Sequence, residues 1–77
     1  MNNASALIAR DAIKKLDREV LLSRKTKTSI AEELGAARTT VHRRLKRDDM
    51  DLGAFIGTAL AVGADPRKLI DEAMEEK

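Results

Sequence analysis

Seventy-seven residues without a cysteine make one small domain that neither a disulfide nor a thiolate metal site can brace. Phe55 is the sole aromatic residue, so aliphatic side chains and alanine must fill the core. The net charge of +2 conceals an asymmetry: residues 1–23 carry +1, residues 24–47 carry +6 and residues 48–77 carry −5. No apolar run approaches the ~20 residues of a membrane helix, and the opening Met-Asn-Asn-Ala-Ser lacks the pattern of a secretory signal. A cytoplasmic protein, not associated with a membrane, is expected.

The abundance of Ala, Leu, Glu, Lys and Arg favours helix throughout. Leu7, Ile8, Ala12, Leu16, Val20 and Leu21 recur at near-helical spacing over residues 5–22, with Ile13 and Leu22 broadening the stripe. Ser5 or Asn3 is a suitable cap for this first helix. The polar stretch 23–27 reads as a loop. A second helix is expected just after Thr26, whose hydroxyl suits a helix start. It places Ile30, Ala31 and Leu34 on one face and stops at Gly35, a residue that tolerates the left-handed conformation.

After a connection through Ala36 and Ala37, a third helix is expected from Arg38 or Thr39 to Arg47. Val41 and Leu45, four residues apart, face inward. Asp48, Asp49 and Asp51 end it, and Asp51 suits the next helix as its cap. The fourth helix spans Leu52 to about Val62, with Leu52, Phe55, Ile56, Ala59 and Leu60 as its expected buried face. Gly53 and Gly57 would permit close helix approach, and Gly63 ends the element. Asp65-Pro66 restarts the chain as cap and first-turn proline. Leu69, Ile70, Ala73 and Met74 make the fifth helix amphipathic. The pattern describes an all-α, compact five-helix domain over residues 1–77.

Residues 27–47 have the layout of a helix-turn-helix, whose second helix enters the major groove of DNA. Ala31 suits the helix crossing, Gly35 the bend, and Val41 the angle beneath Ala31, with Leu45 anchoring the pair to the core. A plain helical hairpin could use the same small residues. The coincidence of this pattern with the basic block favours nucleic acid over a merely solvated charge run.

At ~100° per residue, Arg38, Thr39, His42, Arg43 and Lys46 share one stripe opposite the inward residues. Arg38, Thr39, His42 and Arg43 are the candidate base contacts. Arg can donate two parallel bonds to guanine, a Thr methyl can meet thymine, and His can donate or accept according to its tautomer. An idle exposed histidine is the competing reading of His42. Lys27, Thr28, Thr40, Lys46 and Arg47 are the candidate phosphate contacts, the first two because they open a helix. Arg44 falls outside the stripe. No cofactor, metal or small-molecule substrate is called for, and scattered carboxylates with one histidine do not suggest an enzyme.

At these residues the chain resembles the phage lambda repressor and Cro-like (Xre-type) helix-turn-helix family. The resemblance rests on Thr26-Lys27-Thr28-Ser29-Ile30-Ala31-Glu32-Glu33-Leu34-Gly35, on Arg38-Thr39-Thr40-Val41, and on Ala59-Leu60-Ala61-Val62-Gly63-Ala64-Asp65-Pro66. It implies a lambda-repressor-like domain that binds a double-stranded DNA operator, usually as a homodimer, and regulates transcription, often for a phage or mobile element. Lys27 stands where the family often has glutamine, Arg44 where many members are apolar, and Arg47-Asp48-Asp49 where a glycine is usual. Competing readings are a DNA-architectural or excision-directing protein and an antitoxin-like protein-interaction module.

Overall fold

The computed structural model describes residues 4–48 and 50–75. These form five helices and no strands: α1 (Ala4–Ser23), α2 (Lys27–Leu34), α3 (Arg38–Lys46), α4 (Leu52–Ala61) and α5 (Pro66–Glu75). None of the described helices is long and apolar enough to cross a membrane. The expected cap at Asn3 and the role given to Asp49 lie outside the described residues.

Local chemistry sets the breaks. Thr26 Oγ1 accepts a hydrogen bond from the Ser29 N–H at 3.0 Å, and Asp51 Oδ1 accepts one from Ala54 at 2.7 Å. Each side chain thereby satisfies an amide with no partner inside its helix. Asp65 does the same for Arg67, at 2.9 Å, with Pro66 as the first residue of α5. Gly35 closes α2 at φ 66°, with Ala36 N–H bonded to Ala31 O and Gly35 N–H to Glu32 O. That pair of bonds is the left-handed glycine stop expected of Gly35. Gly63 repeats it after α4 at φ 76°.

The helices α1 and α3 end without glycine. Arg24 after α1 and Asp48 after α3 take positive φ values of 64° and 51°. Asp48 thus adopts the conformation for which glycine is the favoured residue.

The centre of the core is built from four helices: Leu16 of α1, Ile30 of α2, Val41 of α3 and Thr58 of α4 are fully buried. Ala12, Ile13, Val20, Ala31, Leu45, Phe55, Ala59, Leu69 and Ala73 surround them. The long α1 packs chiefly along α5 and also meets α3 and α4, while α2 lies against α3 and α4. Gly57 explains the close approach of α4 to α2. A Cβ placed there would sit 3.0 Å from Leu34 Cδ2.

The buried face of α4 differs from expectation. Phe55 and Ala59 are buried as expected, but Thr58 and Ala61 join them, and Leu52, Ile56 and Leu60 are exposed. The helix is covered by α1, α2 and α5. Its Leu52–Ile56–Leu60 line is left uncovered. Leu7, Leu21 and Leu22 on α1 and Met74 on α5 are likewise exposed and not part of the core. On α1 the covering elements take only the narrower stripe Ala12–Ile13–Leu16–Val20.

Candidate nucleic-acid interface

Three residues, Gly35, Ala36 and Ala37, separate α2 from α3. Ala31 and Val41 are buried on the two helices and Leu45 is buried one turn beyond Val41, as their spacing requires. With Val41 and Leu45 inward, the rest of α3 is constrained. At ~100° per residue, Arg38, His42, Lys46, Thr39, Arg43 and Arg47 follow one another around about half the circumference. All six are exposed. Thr40 and Arg44 lie on the flank between this arc and the core and are partly buried. The structure therefore brings together all four sequence-derived base-contact candidates on one face, with Lys46 and Arg47 beside them. Thr40 stands apart at the edge of that face, and Arg44 is partly covered against the domain.

The start of α2 adjoins this face. Arg24, Lys25, Thr26, Lys27, Thr28 and Arg38 contribute to an open groove of about 440 Å³ between the end of α1 and the starts of α2 and α3. Ser29 N–H is held by the Thr26 side chain and Ile30 N–H by the Thr26 carbonyl. The Lys27 and Thr28 N–H groups have no hydrogen-bond partner among the described residues. Free amides at a helix start, with the positive end of the helix dipole and Lys27 itself, suit an anion. Thr28 is exposed and Lys27 is partly so.

The cations of the basic block divide into two sets. Lys25 is consumed by the fold: its ammonium donates to Glu33 Oε2 at 2.7 Å and to the Ala61 carbonyl at 2.6 Å. Arg38, Arg43, Lys46 and Arg47 have no ion-pair partner among the described residues. Elsewhere Arg10 lies 4.0 Å from Asp48, Lys15 3.7 Å from Asp11, and Arg67 3.2 Å from Asp65. Among the described residues, no carboxylate pairs with the exposed arc of α3.

Arg24 belongs to the same groove, a position that the motif spacing missed. Its side chain is exposed and lines the groove beside Lys27 and Arg38. The available signal was its membership of the basic block. Its position depends on the left-handed turn that ends α1, which sequence periodicity does not register. Comparison with protein-family models, with curated proteins and with solved structures returns no match.

Proposed function

We propose that this chain is a sequence-specific, double-stranded DNA-binding regulator that occupies an operator through α3 in the major groove, as a homodimer on its site. The observation that carries this reading is the α3 arc itself: Arg38, Arg43, Lys46 and Arg47 are exposed on one face, with no ion-pair partner among the described residues. Clustered free cations on one helix supply counterion release on a polyphosphate. Arg38, Thr39, His42 and Arg43 carry the donor, acceptor and methyl groups that distinguish base pairs.

In this mechanism the Lys27 and Thr28 amides seat one backbone phosphate at the start of α2. Lys46, Arg47 and Arg24 hold flanking phosphates, and Thr40 adds a hydroxyl at the rim. These contacts set register, and the base-facing residues choose sequence. The resemblance to lambda-repressor and Cro-like proteins adds a biological role, the repression of a phage or mobile-element promoter by occupancy. The chain acts by binding and is not an enzyme.

The test is selection of bound sequences from random duplexes, followed by titration of the winner and a scrambled control at several salt concentrations. A reproducible motif is expected, and Arg43→Ala should weaken the winner more than the control. Lys46→Ala should weaken both and reduce the magnitude of the salt slope by about 1. Enrichment of no motif, with equal affinity for every duplex, would overturn sequence-specific binding.

A further inference from the structure

We propose, resting on the operator reading, that Lys25 is a positioning residue for the DNA-binding surface. Its ammonium pins the connection between α1 and α2 to the end of α4, and so holds the groove at the start of α2 in the shape that receives a duplex. Arg24, Lys25, Thr26, Lys27, Thr28 and Arg38 line that groove. A lysine inside a basic block is ordinarily one more phosphate contact. The ammonium of Lys25 is committed elsewhere. It donates to the Ala61 carbonyl at 2.6 Å and to Glu33 Oε2 at 2.7 Å. Lys25 therefore acts on DNA through the residues beside it and not through its own charge.

Only Arg24, Lys25 and Thr26 separate α1 from α2. Connections of this kind are ordinarily the mobile part of a fold. Here each residue is tied. Ser23 Oγ donates to the Val20 carbonyl at 2.7 Å and accepts the Lys25 N–H at 3.2 Å. Arg24 N–H donates to the Leu21 carbonyl at 3.4 Å, with Arg24 in the left-handed region at φ 64°. Thr26 accepts the Ser29 N–H on its hydroxyl and the Ile30 N–H on its carbonyl. All of these bonds close within four residues. They shape the turn without fixing where it lies on the domain. The Lys25 ammonium supplies that long-range tie, because Ala61 is 36 residues away in sequence and is the last residue of α4.

Three parts of the chain meet at that one nitrogen. Ala61 offers a carbonyl at the end of α4, where helical partners run out and the helix dipole favours a cation. Glu33 stands in the last turn of α2. One turn before Ala61, the backbone of Gly57 lies close against Leu34, so a Cβ there would sit 3.0 Å from Leu34 Cδ2. Leu34 thus fastens the far end of α2 to α4, and Lys25 fastens the chain entering α2 to the same helix. A Lys–Glu pair with side chains 40% and 46% exposed adds little by itself. The Ala61 carbonyl is what makes it a tie between elements. With the tie in place, Arg24 and Lys27 stand on a fixed backbone before DNA arrives. Without it, binding must order that backbone, which costs affinity.

The experiment measures affinity for a random-sequence duplex over a range of salt concentrations, at a temperature where each chain is folded, together with backbone order by NMR relaxation. Lys25→Met should bind about 3- to 10-fold more weakly with an unchanged salt slope, since ordering is lost and no phosphate contact is. Lys27→Met, by contrast, should reduce the magnitude of the slope by about 1. In free Lys25→Met, order parameters at residues 24–28 should fall from ~0.85 toward ~0.6 while those of α5 hold. Should Lys25→Met fail to fold, Glu33→Ala decides in its place. It removes a carboxylate from a protein that binds a polyanion, so charge alone gives tighter binding and loss of an anchor gives weaker binding. The proposal is overturned by a folded Lys25→Met that binds as wild type does, by a slope reduced by about 1 in that variant, or by tighter binding of the deciding Glu33→Ala. A wild type that binds no duplex overturns the operator reading and the role of Lys25 together. A wild type that binds, with Lys25→Met its equal, overturns the role of Lys25 alone.

Discussion

The ammonium of Lys25 reaches the carbonyl of Ala61, 36 residues away, at 2.6 Å. It joins the loop before α2 to the last turn of α4, where carbonyls lack helical partners. Glu33 holds the same ammonium from the opposite side. A cation at a helix C-terminus also complements the helix dipole. Lys25→Met should therefore destabilise the domain by about 1–2 kcal/mol, less than a fully buried charged hydrogen bond because the side chain stays 40% exposed. Urea denaturation at neutral pH measures it. A change within ~0.3 kcal/mol would mean that water replaces the ammonium at no cost.

Asp48 ends α3 at φ 51°. Its ion pair with Arg10 is long, at 4.0 Å, and Arg10 is largely exposed, so the pair adds little. Asp48→Gly should raise stability by about 0.5–1 kcal/mol by relieving the left-handed conformation. Thermal melting would detect the gain. A lower melting temperature would show that the Arg10 contact outweighs the backbone term.

The carboxylate of Asp65 titrates below its ordinary value, first because the Arg67 side chain bonds to it and next because the Arg67 backbone N–H does. A depressed folded-state value means that the stabilisation is fully present above the unfolded pKa of ~3.9 and is lost as pH falls through the folded value. The stability difference between wild type and Asp65→Asn should be constant from pH 7 to pH 5 and shrink below about pH 4. Denaturation curves at pH 7 and at about pH 2.5 test the sign. A difference that grows toward acid contradicts it.

Val41 is 1% exposed beneath the α2–α3 turn. Val41→Asp places a carboxylate in that site and should cost at least ~4 kcal/mol. In a domain of this size that is enough to abolish cooperative unfolding. His42→Asp, on the exposed side, should leave the fold intact while weakening DNA binding through charge. Comparable helicity in the two variants would contradict the inward placement of Val41.

The helix breaks were legible in the sequence because they are decided within a few residues. Thr26, Gly35, Asp51, Gly63 and Asp65-Pro66 each act on amides or carbonyls of their own turn. The inward set Ala31, Val41 and Leu45 was legible for a related reason. A short basic helix has few apolar residues to offer, so burying Val41 and Leu45 leaves only one orientation.

The sequence by itself determined the breaks at Thr26, Gly35, Asp51, Gly63 and Asp65-Pro66 and that Arg38, Arg43, Lys46 and Arg47 of the third-helix region face outward, since capping bonds and a 3.6-residue period need no distant partner. Only the tertiary structure decided which side of α4 is covered, because that helix is apolar all round and its own pattern selects no face. The neighbours α1, α2 and α5 made the choice, leaving Leu52, Ile56 and Leu60 in solvent. The same long-range packing withdrew Lys25 from the basic block, for the end of α4 meets the loop before α2 only once the chain has folded.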